Sequence, residues 1–361
     1  MSLKPVFKQS VLRVAMVGVI AGSALMSAGL AQAGSVSILE TGSSLLYPLF
    51  NLWQPVYTKE HSSVQLTTAS TGSGTGQAQS MQGLAQIGAS DAYLSGAQMK
   101  QHPGMLNIPM AISSQMVNYN VPGLNGDHLK LSGPVLADIY AGKVTKWNDP
   151  AIAKLNPGVK LPDHSIVAIH RTDGSGDTFI FTQYLSDSTP WWSDKYSYGT
   201  SVSWAPVQGN IGAVGNPGMV DALKNNPYSV AYIGVSFKKQ IMDDHLGEAR
   251  IENKAGHFVL PEIRNVKAAA ASMVPKTPAD QRISLIFAPG AESYPIINYE
   301  YALVDSHQPS QEMSSSLKSL LSWAISSKGG NAEHFMKSVN FVALPPSVVK
   351  QSTTQIDKIH A

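Results

Sequence analysis

Residues 170–185 read HRTDGSGDTFIFTQYL, and this stretch decides the fold of the chain. Residues 165–170, which lead into it, predict a β-strand, and residues 178–185 predict a helix from the spacing of their apolar side chains. The turn between them, residues 171–177, is rich in glycine. A strand, a glycine-rich turn and a helix in this order are typical of α/β proteins.

The same alternation recurs along the chain. Strands are also predicted at residues 36–39, 64–68, 87–91 and 229–233, and helices at residues 46–57, 216–223 and 313–325. Glycine-rich turns follow the first two of these strands, near Thr41 and at residues 71–76. The fold class predicted is therefore α/β, while residues 252–282 show only a weak pattern.

Three of the turns carry groups that bind anions. They begin near Thr41, Gly72 and Gly174, and each lies between a predicted strand and a predicted helix. In an open α/β sheet such turns gather at the carboxyl ends of the strands, and each helix start presents unpaired N–H donors. With serine and threonine hydroxyls and the Arg171 guanidinium, they predict a metal-free site for a small tetrahedral oxyanion. Each turn taken alone is more often an ordinary turn.

Two carboxylates beside these turns make the prediction more specific. Asp91 would repel a fully ionised anion, but it would accept the hydrogen of monohydrogen or dihydrogen phosphate, which sulfate lacks at neutral pH. The alternative is that Asp91 caps the turn after it. Asp173 either orients the fork of Arg171 toward the ligand or forms a surface ion pair with it.

The first 33 residues have the pattern of a secretory signal peptide. Lys4, Lys8 and Arg13 precede an apolar run at residues 14–30, and residues 31–33, AQA, match the A-x-A cleavage motif. A permanent membrane anchor is the alternative. We expect an exported protein, most simply in the bacterial periplasm.

Charge and cysteine content exclude several other classes. Loss of three of the 26 basic residues with the signal peptide leaves 23 against 24 acidic residues. Such a chain has no general basic field for nucleic acid or anionic lipid. There is no cysteine, which excludes disulfides, thiolate nucleophiles and cysteine-ligated zinc.

Catalytic and metal-binding motifs are missing from the sequence. It has no G-x-S-x-G or H-E-x-x-H motif, and residues 72–76, GSGTG, match neither a Walker loop nor a dinucleotide fingerprint. A metal site shared by His164 and His170 is the alternative, but a supporting or surface role is the more common one for such histidines. We therefore expect a protein that binds no metal and no other cofactor and that is not an enzyme.

At these residues the chain resembles the periplasmic phosphate-binding proteins of ABC-type phosphate importers, the PstS family. The similarity covers nearly the whole chain after the signal peptide. It is carried by residues 41–42, 88–92, 94–95, 120–124, 139–149, 151–157, 171–176 and 341–347. Their combination is specific, whereas any one segment alone is a weak signal. The resemblance implies a type II periplasmic binding protein, in which two α/β lobes joined by two crossing strands close like a hinge. Lobe I would comprise residues 34–112 plus 292–361, and lobe II residues 113–291.

The resemblance also implies which residues bind phosphate. These roles fall on Leu46, Tyr47, Ser73, Asp91, Arg171, Ser175, Gly176 and Asp177, with Thr41, Asp173 and Thr178 in support. Leu46 and Asp177 stand where the family often has threonine, so Leu46 would offer only its backbone N–H. The Asp177 carboxylate would oppose an anion unless it turned away.

The function implied is capture of inorganic phosphate and its delivery to an inner-membrane ABC permease, without bond cleavage. A monomer is the default for such a shuttle, and no nucleic-acid partner is expected. Three alternatives stay open: binding of another oxyanion, hydrolysis of phosphate esters through Ser73 or Ser175, and an adhesion or sensing role on the same fold.

Overall fold

The structure, a computed structural model, describes residues 35–361; the predicted signal peptide lies outside them. The strands are β1 Val36–Gly42, β2 Val64–Ser70, β3 Ile87–Ser90, β4 Met105–Asn120, β5 Lys130–Leu131, β6 Val167–Arg171, β7 Ile211–Ala213, β8 Ser229–Gly234, β9 Gly247–Glu248, β10 Arg250–Glu252, β11 Phe258–Val259 and β12 Ile297–Asp305. The helices are α1 Tyr47–Glu60, α2 Ser73–Met81, α3 Gly96–Gln101, α4 Gly133–Tyr140, α5 Pro150–Leu155, α6 Gly176–Ser188, α7 Pro190–Lys195, α8 Gly215–Asn225, α9 Lys238–Asp243, α10 Ile263–Met273, α11 Gln311–Ile325, α12 Glu333–Ser338 and α13 Pro346–Ile356.

Most strands form one sheet in the order β2-β1-β3-β12-β4-β8-β6-β7, with β9 also paired to β4. A second sheet has the order β11-β10-β5. Strand β4 is 16 residues long and changes its partners along its length. Residues 105–114 pair with β12, and residues 115–120 pair with β8. The change of partner falls between Ser114 and Gln115, so both halves of the sheet meet at the middle of β4.

The directions of the strands bring the loops of the two halves together. Strands β1, β2 and β3 are parallel to one another, and β6 is parallel to β7 and β8. Strand β12 is antiparallel to both β3 and β4, and β8 is antiparallel to β4. It follows that the carboxyl ends of β3 and of β8 both point toward the middle of β4. The predicted gathering of turns at strand ends is thereby explained by the topology.

The predicted α/β class is confirmed, and the boundaries need local corrections. Strand β1 continues through Thr41 to Gly42, where the sequence suggested a turn, because a glycine can pass close to the next strand. Gly42 has a φ of 141°, and a side chain there would overlap the backbone of Ala89. The turn predicted at residues 71–76 is short, since α2 begins at Ser73. The unassigned residues 252–282 contain β11 and α10.

No helix within residues 35–361 has the length and apolar character needed to cross a bilayer. Helix α3 has no buried residue, but several of the longer helices bury one face in the core. Helix α11 is an example, with Leu317, Leu320, Leu321 and Ala324 buried in the core as their spacing predicts.

Candidate functional site

The turns after β1, β2, β3 and β6 converge at a buried cluster of polar side chains near the middle of β4. Ser73, Asp91, Arg171 and Ser175 all lie in it, and each is at most 3% exposed. The two halves touch here, because the Gly74 amide donates to the Gly174 carbonyl at 2.8 Å. The four side chains named from the sequence therefore surround one place.

Asp91 accepts hydrogen bonds from two hydroxyls. One donor is Ser43 Oγ, and the other is Ser73 Oγ, 3.2 Å from Asp91 Oδ2. The Asp91 amide donates in turn to Ser73 Oγ at 3.2 Å, which fixes the turn after β3 against the start of α2. Burial raises the pKa of Asp91 well above its usual value, and the nearby carboxyl of Glu300 adds to the effect.

Arg171 lies between two carboxylates. Its Nε donates to Asp173 Oδ1 at 2.7 Å and its Nη2 donates to Asp173 Oδ2. Its Nη1 donates to Asp177 Oδ2 at 2.7 Å and to Ser44 Oγ at 3.2 Å. Burial acts to raise the pKa of Asp173, but the hydrogen bond and charge of Arg171 bring it below its usual value. Asp173 thus holds the guanidinium through two of its nitrogens.

Asp177 faces Arg171. Its carboxylate accepts from Arg171 Nη1, from Asn216 Nδ2 at 2.8 Å and from Gln115 Nε2 at 3.1 Å. Burial first, and then the charge of Asp91, raises the pKa of Asp177 to about 7. The opposition to an anion expected from this carboxylate is therefore reduced by one cation and two amides.

The start of α6 supplies amide donors. Ser175 is the N-cap, and its Oγ accepts from the Thr178 amide at 3.1 Å. The Gly176 and Asp177 amides have no acceptor among the residues that the structure describes, as expected for a first helical turn. A Cβ on Gly176 would collide with Asp91 and with Ser73 Oγ, so glycine lets this amide approach both side chains.

The first turn is arranged differently from the expectation. The Leu46 amide donates to Ser43 Oγ at 3.0 Å, and the Tyr47 amide donates to the Ser43 carbonyl at 3.0 Å. Both amides predicted to face a ligand are used inside the loop. Ser44 Oγ instead reaches the other half of the site, where it accepts from the Asn216 amide and side chain, both at 3.0 Å.

The hydroxyls of the two supporting threonines bond to other hydroxyls. Thr41 Oγ1 lies 2.7 Å from Thr71 Oγ1. Thr178 Oγ1 lies 2.8 Å from the hydroxyl of Tyr232, which also accepts from the Arg171 amide at 2.9 Å. The second of these contacts braces the backbone at Arg171.

Several polar residues of the site were missed from the sequence: Ser43, Ser44, Gln115, Asn216 and Glu300. Ser43 and Ser44 stand in the glycine-serine turn after β1, and their hydroxyls were the available signal. Asn216 was noticed only as part of a helix start. Gln115 and Glu300 lie inside strands, so no motif marks them.

The residues described include no group of histidine, aspartate and glutamate side chains arranged to hold a metal ion. The site offers hydrogen-bond donors, one guanidinium and carboxyl acceptors. This set suits a small oxyanion that carries a hydrogen of its own.

Comparisons with known proteins identify the family. A model of the PBP superfamily domain matches residues 29–328. The phosphate-binding protein PstS of Pasteurella multocida is 35% identical over 319 residues, 88% of this chain and 89% of the relative. The chain belongs to the PstS family. The PstS of Methanocaldococcus jannaschii is 32% identical and covers 90% of this chain and 87% of its own length.

Solved structures give the same fold for this PstS family member. A phosphate-binding protein from Stenotrophomonas maltophilia aligns with a TM-score of 0.69 at 16% identity, covering 89% of this chain and 94% of that one. The type II periplasmic binding fold inferred from the sequence is confirmed. The family is one of solute-binding proteins.

Proposed function

We propose that the protein binds inorganic phosphate in the periplasm and delivers it to an inner-membrane ABC permease. The observation that carries the proposal is the presence of a buried acceptor, Asp91, and a buried cation, Arg171, in one cluster of hydroxyl and amide donors. The curated relatives named for phosphate binding cover almost the whole chain, which supports the same ligand.

The donors account for affinity. Ser73 and Gly176 lie beside Asp91, and Arg171 contacts Ser44. Together with the Asp177 amide, these groups are positioned to donate to a tetrahedral ion. Hydrogen bonds to a charged group each contribute about 1.5–3 kcal/mol net. Micromolar binding requires only about 8 kcal/mol, so these few donors suffice after the entropy cost of binding.

Asp91 accounts for selectivity. A P–O–H group of bound phosphate donates to its carboxylate, whereas sulfate at neutral pH would place an oxygen against it. An unpaired buried acceptor costs about 1–3 kcal/mol, and the repulsion of two negative charges adds to this.

Capture involves two lobes, residues 34–112 plus 292–361 and residues 113–291. The change of partners along β4 supports this division, because each half of the sheet carries its own parallel strands. The hydrogen bonds from Gly74 to Gly174 and from Asn216 to Ser44 would form on closure and exclude water from the ion.

Export, permease delivery and a monomeric state belong to the same proposal. The basic and apolar pattern of residues 4–33 supports export through the inner membrane. No bond is broken in this function. Ser73 and Ser175 have no histidine base among their hydrogen-bond partners, and their hydroxyls bind Asp91 and the Thr178 amide.

The direct test is calorimetric titration of residues 34–361, freed of phosphate, with phosphate and separately with sulfate at pH 7.5. We expect phosphate to bind with a micromolar or lower Kd and sulfate at least a hundredfold more weakly. Equal affinities, or no phosphate binding, contradict the proposal. Incubation with a chromogenic phosphate ester tests the hydrolase alternative, and we expect no turnover above the buffer rate.

A further inference from the structure

A second buried carboxyl lies behind Asp91. Glu300 is on β12, opposite Ala111 of β4, at the point where the register between these strands shifts. Its side chain is completely buried. The carboxyl groups of Asp91 and Glu300 lie within hydrogen-bonding reach of each other. Glu300 belongs to the same buried site but is not among the groups proposed to bind phosphate.

The contacts of Glu300 are complete except on one oxygen. Oε1 accepts from Ser113 Oγ and from Asn298 Nδ2, the latter at 3.0 Å. Asn298 Nδ2 also donates to the Asp91 carbonyl at 3.2 Å, which ties the two acidic residues together. Oε2 of Glu300 is buried and finds no donor among the described residues. A hydrogen between Oε2 and Asp91 would satisfy both groups.

Two buried carboxyl groups in contact do not both ionise readily, because like charges in a site of low polarity repel strongly. Burial raises the pKa of Glu300 to about 7 and the pKa of Asp91 well above its usual value, so the pair keeps one proton near neutral pH. The contacts place that proton on Glu300, because two hydroxyls already donate to Asp91 while Oε2 of Glu300 has no donor among the described residues. The other charged groups that face the pair are Asp177 from α6 and Arg171 from β6. The side chains that reach the pair from β4 and α2, Ser113 and Ser73, are neutral.

We propose that Glu300 is a positioning residue that holds one proton against Asp91, keeping Asp91 the ionised acceptor for the hydrogen of phosphate. In this arrangement the proton is on Glu300 and is donated to one oxygen of Asp91. The ligand donates its own hydrogen to the other Asp91 oxygen. The pair carries one negative charge, and a second charge beside the bound anion is avoided.

The consequence is a proton linkage, which rests on the proposed function. When the pH rises above the pKa of Glu300, the free protein loses the shared proton and must take it back to bind phosphate. Phosphate affinity then falls by up to about tenfold per pH unit relative to a variant whose residue 300 cannot ionise. Glu300→Gln is such a variant, and it keeps the contacts, because its amide can donate to Asp91 and its Oε1 can still accept from Ser113.

The test measures phosphate binding by calorimetry between pH 5 and 9, in buffers of different ionisation enthalpy, so that proton uptake is obtained with affinity. We expect the wild type to take up more protons than Glu300→Gln, the difference rising toward about one as pH increases. Phosphate's own titration is common to both proteins and cancels. The affinity ratio of variant to wild type should rise with pH in parallel.

Two further variants keep this result interpretable. Ser113→Ala removes a donor to ionised Glu300, so the midpoint of proton uptake should move to higher pH. Glu40→Gln is the matched control: Glu40 is another completely buried carboxyl with a raised pKa, on β1, and it does not contact Asp91. This control should leave proton uptake unchanged.

The outcomes separate the two proposals. Identical proton uptake in the wild type and Glu300→Gln, with selective phosphate binding in both, overturns the role of Glu300 and leaves phosphate binding intact. A wild-type protein that does not bind phosphate overturns the proposed function. If Glu300→Gln does not fold, an unmoved midpoint in Ser113→Ala overturns the role of Glu300.

Discussion

Asp91 and Asp177 lie in the same buried site, yet their hydrogen-bond partners differ in charge, and so do the roles we assign to them. Asp177 accepts from Arg171, Asn216 and Gln115, so its charge is compensated by protein groups. Asp91 accepts from the hydroxyls of Ser43 and Ser73 and lies beside another carboxyl. Equal burial therefore does not mean equal function.

The difference follows from the turns that carry the two residues. Asp177 is in the first turn of α6, and Arg171, the last residue of β6, lies only six positions before it. Asp91 follows β3, a strand with no basic residue in its turn. A carboxylate without a compensating cation is one that can use a hydrogen brought by a ligand.

The largest effect is expected from removing the cation. Arg171→Met leaves Asp173 and Asp177 buried without their partner, and breaking a buried ion pair costs about 3–5 kcal/mol. We expect phosphate affinity to fall at least a hundredfold, measured by calorimetry, together with a lower unfolding temperature. Arg264→Met is the control, because Arg264 is exposed and pairs with Glu262 at the surface. If Arg171→Met binds phosphate with an affinity within threefold of wild type, the guanidinium does not take part in phosphate binding.

The next effect concerns pH and Asp177. Its pKa is raised to about 7, so neutral Asp177 stabilises the fold below its unfolded pKa, and this contribution is lost as pH rises through about 7. Asp177→Asn lacks the ionisation. We expect its free energy of unfolding, relative to wild type, to increase between pH 5 and 8 by up to about 1.4 kcal/mol per pH unit. Urea unfolding at several pH values measures this, and parallel pH profiles contradict it.

A smaller effect is expected from the two serines of the first turn. Ser43→Ala removes a donor to Asp91 and an acceptor for the Leu46 amide. Ser44→Ala removes an acceptor shared by Arg171 and Asn216. Each change is worth about 1–2 kcal/mol, a five- to thirtyfold loss in phosphate affinity. Only Ser43→Ala should also alter the preference for phosphate over sulfate. Equal selectivity in the two variants contradicts the different roles of Asp91 and Asp177.

The sequence predicts the Arg171 side of the site better than the Asp91 side. Arg171, Asp173, Ser175 and Gly176 are close in the chain, so one turn before one helix places them together. Glu300 approaches Asp91 only because β12 pairs with β3 and β4. Pairing between strands so distant in the chain cannot be predicted from local sequence patterns. The amides of Leu46 and Tyr47 turn inward because the Ser43 side chain and carbonyl accept them, which spacing alone does not reveal.

The central claim is that Asp91 selects an ion that carries a hydrogen. The most direct measurement is the ratio of phosphate to sulfate affinity in the wild type, in Asp91→Asn and in Asp177→Asn, by calorimetry at pH 7.5. The account predicts that Asp91→Asn lowers this ratio at least tenfold, since its amide can donate to sulfate, and that Asp177→Asn changes it less than threefold. An unchanged ratio in Asp91→Asn, or an equal loss in both variants, contradicts it.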